Sequence, residues 1–361
     1  MLTVEGCRSR QKRLLEVLQK QGLDGALITN REHVYYFTAY RTHFNQTPAA
    51  FLEASGKLTL IGFKMADSGL ACDAKVDYPA KATSTMAMDQ ANRCGETLAK
   101  VLPKGKKLGV DLDGPGAMGR AAGPEATDIT RAVQHLRKRK DPDELAILRR
   151  AIAVTHAMYT YAKNNIKPGL DEMEFFAEIR AAATRAANQD CERFGNDYRC
   201  NARGGSARRR PMQAGELYIL DAGPSLDGYH ADNCRTFAVD RKGTDVQHKA
   251  CRKIIECLGY METRIRPGVT GKQMFEDAKA FLKDAGHSGL VHHLGHGIGL
   301  QPHESPELNP DYSAVLEVGD VFTMEPGLYS DELNAGIRLE QDYVITENGW
   351  ERLTSFPLDL A

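Results

Sequence analysis

The sequence predicts an α/β protein of two domains, a small N-terminal one and a larger second one built as a pseudo-twofold α+β unit. Three observations carry this. The chain has 361 residues, more than one hydrophobic core usually organises. Helical and extended patterns alternate through roughly the first 130 residues, a common domain size. Finally, Ile166-Lys167-Pro168-Gly169-Leu170-Asp171 recurs as Ile265-Arg266-Pro267-Gly268-Val269-Thr270, so one structural unit is used twice.

In order along the chain, Leu14, Leu15, Val17 and Leu18 among Arg, Lys and Gln predict an amphipathic helix over 8–21. Ala26 to Thr29 reads as a buried strand. Ala49 to Glu53 and Leu58 to Gly62 flank Ser55-Gly56 and predict a hairpin. A helix over 86–102 and a strand over Leu108 to Leu112 complete this domain, which contains no catalytic constellation. The basic run Arg137-Lys138-Arg139-Lys140 reads as a solvated linker, dividing the chain into 1–136 and 137–361. Directly after it, Asp141 at an N-cap, Pro142 in the first turn and Glu144 three residues on form a capping box for a helix from Leu145 to Lys163. Each copy of the repeat follows a long helix and leads into a second one, with Phe175-Phe176 matching Met274-Phe275.

Composition narrows the function classes. Hydrophobic residues are 42% and charged residues 26% of the chain, ordinary for a globular protein. Lys and Arg total 47 against 48 Asp and Glu, so nothing in the net charge drives binding to nucleic acid or a membrane. The absence of a long apolar run and of a signal-peptide pattern at the start argues against membrane insertion and export. Eight cysteines without close pairing read as reduced thiols, which places the protein in the cytoplasm.

Each repeat copy is followed by a pair of carboxylates. The first pair is Asp221, ending the strand-like Leu217-Tyr218-Ile219-Leu220, and Asp232 eleven residues later. Gly223-Pro224 and Asp227-Gly228 between them predict a hairpin that brings both to one face. The second pair is Glu325, after Val321 to Met324, and Glu340, before Tyr343 to Ile345. A lone acid in a strand is usually a surface residue. Buried charge is nevertheless tolerated when paired or bound to metal, and four acids in apolar stretches fit that case together. Between the second repeat and Glu325, His292, His293, His296 and His303 cluster within twelve positions of a chain with 11 histidines. Gly295, Gly297 and Gly299 around His296 permit close backbone approach, and the spacing is not HExxH. Four carboxylates and an imidazole suit two divalent ions, with oxygen-rich ligation favouring Mn over Zn. Zn, Co and Fe are the alternatives.

The ordered set Asp221, Asp232, His296, Glu325 and Glu340 resembles that of the pita-bread metallopeptidases, the methionine aminopeptidase, Xaa-Pro aminopeptidase and prolidase family. The resemblance covers about 141–361, and the preceding domain resembles the creatinase/prolidase N-terminal domain. It implies a pita-bread catalytic domain with those five residues as metal ligands, Asp232 and Glu340 bridging two ions. It implies hydrolysis of small peptides by a metal-bridging hydroxide, with Glu325 as general base. It further implies His303 stabilising the oxyanion, His292 lining the substrate pocket, and Arg338 and Tyr329 orienting ligands. Two-domain relatives are commonly homodimers in which a partner's N-terminal domain edges the site, a role for which His33, Tyr36 and His43 are candidates beside packing in their own domain.

One segment departs from the family pattern. Prolidase-type members carry a pocket histidine shortly before the first aspartate, yet no histidine lies between His156 and His230. The segment Arg199 to Pro211 instead offers Arg203, Arg208, Arg209 and Arg210. Beside Gly204-Gly205, Arg203 is the candidate to turn inward and bind a substrate carboxylate, while the triplet reads as solvated. The leading function is thus a Xaa-Pro dipeptidase or aminopeptidase. The alternative is a pita-bread enzyme acting on a non-peptide small molecule, by ectoine-type amide hydrolysis or dimethylsulfoniopropionate-type lysis. A non-catalytic binding module is disfavoured by the complete ligand set.

Overall fold

The computed structural model describes residues 1–42 and 45–360, which fall into two units, Met1–Arg137 and Lys138–Ala361. In the first unit α1 (Val4–Gln21) buries Leu14 and Leu18 and ends on Gly22, whose φ of 65° closes the helix. A mixed sheet follows, built from β1 (Gly25–Ile28), β2 (Ala49–Glu53), β3 (Leu58–Gly62), β4 (Ala74–Asp77), β7 (Leu108–Val110) and β8 (Thr127–Asp128) in the order β4-β3-β2-β1-β7-β8. The two-residue strands β5 (Lys81–Ala82) and β6 (Thr85–Met86) pair with each other. Helices α2 (Arg31–Thr38), α3 (Gln90–Val101), the single turn α4 (Gly116–Gly119) and α5 (Thr130–Lys138) complete the unit. Its core gathers Leu27, Phe51, Ile61, Leu98, Val110 and Met118.

His33 and Tyr36 are not available to edge a site. His33 is fully buried, its Nδ1 2.8 Å from Asp111 Oδ2 and its Nε2 3.0 Å from the Arg137 guanidinium. Tyr36 is buried as well and donates to the Leu136 carbonyl at 3.0 Å. His43 lies outside the described residues. The basic run is likewise no solvated linker. Arg137, Lys138 and Lys140 are buried, because each cation meets a partner. Lys138 lies 3.2 Å from both Glu317 and Asp320, and Lys140 2.7 Å from Glu304.

In the second unit, the capping box at Asp141 opens α6 (Pro142–Asn165), and α7 (Glu172–Ala187) follows. Helices α8 (Asp245–Glu262) and α9 (Gly271–Leu282) repeat the arrangement. The two copies match in detail. Gly169 and Gly268 both sit at φ 88°, where a side chain would be strained. Their N–H groups donate at 2.8 Å to Met212 and Leu316 respectively, and those residues donate back at 2.8 Å to Leu170 and Val269. Asp171 and Thr270 then cap the second helices through their side chains, and Phe175 and Met274 occupy matching buried positions.

Each helix pair leads to an antiparallel sheet. The first contains β9 (Phe194–Cys200), β10 (Leu217–Leu226), β11 (Tyr229–His230) and β12 (Asn233–Ala238), with β10 flanked by β9 and β12. The second orders β14 (Glu304–Leu308), β13 (Gly295–Gly297), β15 (Val321–Met324), β18 (Gln341–Thr346) and β19 (Gly349–Arg352) side by side. A two-stranded ribbon of β16 (Gly327–Leu328) and β17 (Ile337–Arg338) lies between β15 and β18 in sequence. The turn after Asp221 differs from expectation. Gly223-Pro224 stays inside β10, where the β9 ladder shifts register, and only Asp227 and Gly228, at φ 49° and 82°, make the turn.

Candidate metal centre

The duplicated unit delivers its carboxylates from equivalent places. Asp221 lies on β10 opposite Cys234 of β12, and Asp232 immediately precedes β12. Glu325 follows the last residue of β15 and Glu340 precedes the first of β18, which pair as Met324 and Gln341. The halves are stitched together there: the Glu340 N–H donates to the Cys234 carbonyl at 3.0 Å, and Thr236 exchanges hydrogen bonds with the Arg338 backbone.

His296 stands on β13 close to three of these acids. Its Nε2 is 3.8 Å from Asp232 and 3.6 Å from Glu325, and ligand atoms of Asp232, His296 and Glu340 all lie within 4.8 Å of one another. The glycines make this possible. A Cβ on Gly295 would stand 1.9 Å from the Thr323 carbonyl oxygen, and one on Gly297 2.3 Å from that of Ser305. All five predicted ligands are buried. Among the described residues, Asp221 Oδ1 and both oxygens of Glu340 have no hydrogen-bond partner, although buried polar groups are ordinarily satisfied.

The electrostatics follow from that crowding. Burial, then the neighbouring carboxylates, push Asp232 and Glu340 well above the usual range. Asp221 is also raised by burial, against the pull of Arg338. Burial would raise Glu325 too, but the hydrogen bond from His293, followed by the neighbouring histidines, brings it down to about 2. Burial lowers His296 to about 4, leaving a neutral imidazole with a lone pair to offer. A set of unpartnered hard oxygens around a neutral imidazole fits divalent cations.

The other expected residues surround this set. His303 is half exposed, stacked on His296 at 3.6 Å between ring centroids, with Nε2 3.8 Å from Asp232. His292 Nε2 lies 2.8 Å from the Tyr329 hydroxyl, while Nδ1 faces the His293 carbonyl at 2.7 Å. That pairing makes Nδ1 the donor and Nε2 an acceptor of the Tyr329 proton. Arg338 binds Asp221 at 2.7 Å and also approaches the Tyr329 hydroxyl at 3.4 Å. The Arg203 guanidinium lies over the Tyr329 ring, 5.8 Å from its centroid. The arginine triplet is not solvated as a whole. Arg208 and Arg210 are drawn to buried Glu172 at 2.8 and 3.0 Å, and Arg210 also to Glu216 at 2.7 Å, leaving Arg209 exposed.

Two residues were missed by sequence reasoning. His293 hydrogen-bonds Glu325 at 2.7 Å, and its ring lies with those of His296 and His303, ligand atoms within 4.8 Å of one another. It belongs to the recognised histidine cluster, but in a His-His doublet the sequence does not say which ring faces the acids. Asp197 sits directly across from Asp221 in the β9–β10 pairing and binds the same Arg338 guanidinium. Nothing in its neighbourhood, Gly195-Asn196-Asp197, signalled that.

A duplicated α/β unit whose two halves gather four buried carboxylates and a neutral imidazole in one site points to a hydrolase that works with divalent metal ions. The comparisons with known proteins agree. Residues 146–347 match the model of metallopeptidase family M24, and residues 10–138 match that of the creatinase/prolidase N-terminal domain. An Xaa-Pro dipeptidase of Pyrococcus horikoshii is 26% identical over 97% of each chain. An uncharacterised peptidase of Bacillus subtilis is 31% identical over 65% of this chain and 67% of its own. Among solved structures, an Xaa-Pro dipeptidase from Bacillus anthracis superposes with a TM-score of 0.83 at 23% identity, covering 98% of this chain and 99% of that one. The prolidase from Pyrococcus horikoshii gives 0.81 at 22%, covering 98% and 100%. The chain belongs to metallopeptidase family M24, with the pita-bread fold and a creatinase/prolidase-type N-terminal domain, and is a metallopeptidase-like hydrolase.

Proposed function

We propose that the protein is a dinuclear-metal-dependent Xaa-Pro dipeptidase or aminopeptidase that cleaves small peptides. The observation that carries this is the gathering of four buried acids, two from each repeat, with Asp232, Glu325 and Glu340 beside His296 and Asp221 beside Asp232, and with oxygens of Asp221 and Glu340 left without a hydrogen-bond partner among the described residues. Asp221, Asp232, His296, Glu325 and Glu340 would hold the ions, with Asp232 and Glu340 assigned to both. Mn suits the oxygen-rich set best. When bound, the ions polarise the scissile carbonyl and lower the pKa of water.

The chain's own residues do the rest. Glu325, held ionised by His293, takes the proton of the attacking water. His303, half exposed above His296, donates to the carbonyl oxygen as it gains charge. Arg338 keeps Asp221 in place from behind, and Tyr329 orients His292 at the substrate pocket. The division at 136/137 separates this catalytic domain from the N-terminal one. We read the protein as a homodimer, which light scattering would measure. We place it in the cytoplasm, a reading supported by eight free cysteines, seven of them buried. The non-peptide alternative is not favoured, since the relatives and structures matched include named Xaa-Pro peptidases.

The test is hydrolysis of a panel of Xaa-Pro dipeptides, longer Xaa-Pro peptides and small amides, with Mn and with a chelator. Cleavage of a small amide but no peptide would overturn the peptidase reading. Activity that survives in metal-free protein would overturn the metal-dependent one.

A further inference from the structure

Around the metal centre the arginines divide by what holds them. Arg338 is engaged by Asp221 and Asp197, and Arg208 and Arg210 by Glu172 and Glu216. Arg203 is exposed, and among the described residues it makes no ion pair; its guanidinium rests over the ring of Tyr329. Its backbone, in contrast, is fixed. The Arg203 carbonyl accepts from Arg338 Nη1 at 3.3 Å, and two residues on the Gly205 N–H donates to Asp197 Oδ1 at 2.5 Å. Gly204 and Gly205, at φ 156° and 114°, let the backbone pass so close to the Asp197 carboxylate that a Cβ on Gly204 would lie 2.5 Å from Oδ2. Asp197 therefore holds both the arginine that supports Asp221 and the loop that presents Arg203.

We propose that Arg203 is an anion subsite that binds the free carboxylate of a small substrate, a dipeptide or an N-acyl amino acid; this rests on the peptidase reading above. The metal centre is given over to the scissile carbonyl, so the charged end of such a substrate is met by a cation outside the four carboxylates. Arg203 supplies it one Tyr329 ring away from His292. A guanidinium is permanently charged and offers a planar fork that matches a carboxylate with two parallel hydrogen bonds. A loop already pinned by Asp197 and Arg338 loses little freedom when the substrate binds. Asp197 is thereby a positioning residue for the same subsite.

The experiment compares kcat/KM for an Xaa-Pro dipeptide and its C-terminal amide in Mn-loaded full-length protein, alongside calorimetric binding of both. The variants are Arg203→Ala, Arg203→Lys and Arg209→Ala, the last on the exposed arginine of the same loop. Wild type should prefer the acid by about ten- to a hundredfold, the range of a charged hydrogen-bonded pair. Arg203→Ala should lose the preference with metal content unchanged, Arg203→Lys should retain part of it, and Arg209→Ala all of it. Equal hydrolysis of acid and amide by wild type overturns the subsite, and a preference that survives in Arg203→Ala overturns the assignment to Arg203. If neither compound is hydrolysed the peptidase reading fails, and the calorimetry still decides the subsite. Tighter binding of the acid, lost in Arg203→Ala, upholds it, and equal binding overturns it.

Discussion

Replacing Glu340 by Gln separates the charge of the metal centre from its shape. Glu340 is 1% exposed, and neither of its oxygens has a hydrogen-bond partner among the described residues. Removing the acid while keeping the volume takes one member out of a crowd of four carboxylates. The amide left behind is also unsatisfied, at roughly 1–3 kcal/mol for a buried polar group, so the two costs nearly offset. Metal-free Glu340→Gln should therefore be about as stable as metal-free wild type, or more so. With metal the sign reverses. An ion at a hundred times its Kd stabilises the native state by about 2.7 kcal/mol. At about 2–4 °C per kcal/mol for a domain of roughly 200 residues, two such ions raise the wild-type Tm by about 11–22 °C. Because Glu340 is assigned to bridge, the variant should lose both ions and most of this rise. Scanning fluorimetry of chelator-treated protein with and without Mn, paired with elemental analysis, reads both quantities. A variant that keeps two equivalents and the full rise refutes ligation by Glu340, and one that loses a single equivalent refutes the bridge.

Three other outcomes are expected. His303→Ala should lower turnover by about 10²–10³-fold, the usual effect of losing one oxyanion donor, at unchanged metal content; a parallel fall in metal would make His303 a ligand. Burial raises the Glu172 carboxyl, but hydrogen bonds from Arg208 and then Arg210 outweigh it and hold the group below its ordinary value. Its stabilisation is therefore complete above about pH 4.3, the unperturbed value, and is lost as pH falls through the lower, folded one. Glu172→Gln should cost about 1–2 kcal/mol in urea denaturation at pH 7, less than a fully buried pair because both guanidiniums are partly solvated. The difference should shrink in acid, and a pH-independent one would mean the charge is irrelevant. Gly295→Ala places a Cβ 1.9 Å from the Thr323 carbonyl, so β13 must move away from β15. A loss of about 1–3 kcal/mol with weaker metal uptake is expected, and unchanged values in both would show that the close approach does not hold His296 in place.

What could be read from the sequence was what local chemistry alone determines. The repeat was legible because a left-handed turn asks for glycine, as at Gly169 and Gly268, and a helix start asks for a capping side chain, as at Asp171 and Thr270. That the four acids would be buried together was legible because an acid at the end of an apolar strand is costly to bury unless a cation meets it. Gly223-Pro224 misled because those residues usually turn a chain. Here a register shift in the β9 pairing accommodates them within a strand.

The remaining surprises are charged side chains whose partners lie far along the chain. Lys138 reads as solvent-facing until Asp320 is seen beside it, and Arg208 until Glu172 is. His33 looks available until Asp111 and Arg137 close on both of its nitrogens. Asp197 is the sharpest case. A like charge directly across a strand pair is destabilising in isolation, so only the arrival of Arg338 from the other repeat lets Asp197 face Asp221. A sequence displays the charge of such a residue, but its role is set by which opposite charge the fold delivers to it. By the same logic, Arg203, to which the fold delivers no carboxylate among the described residues, is the cation we propose for the substrate carboxylate.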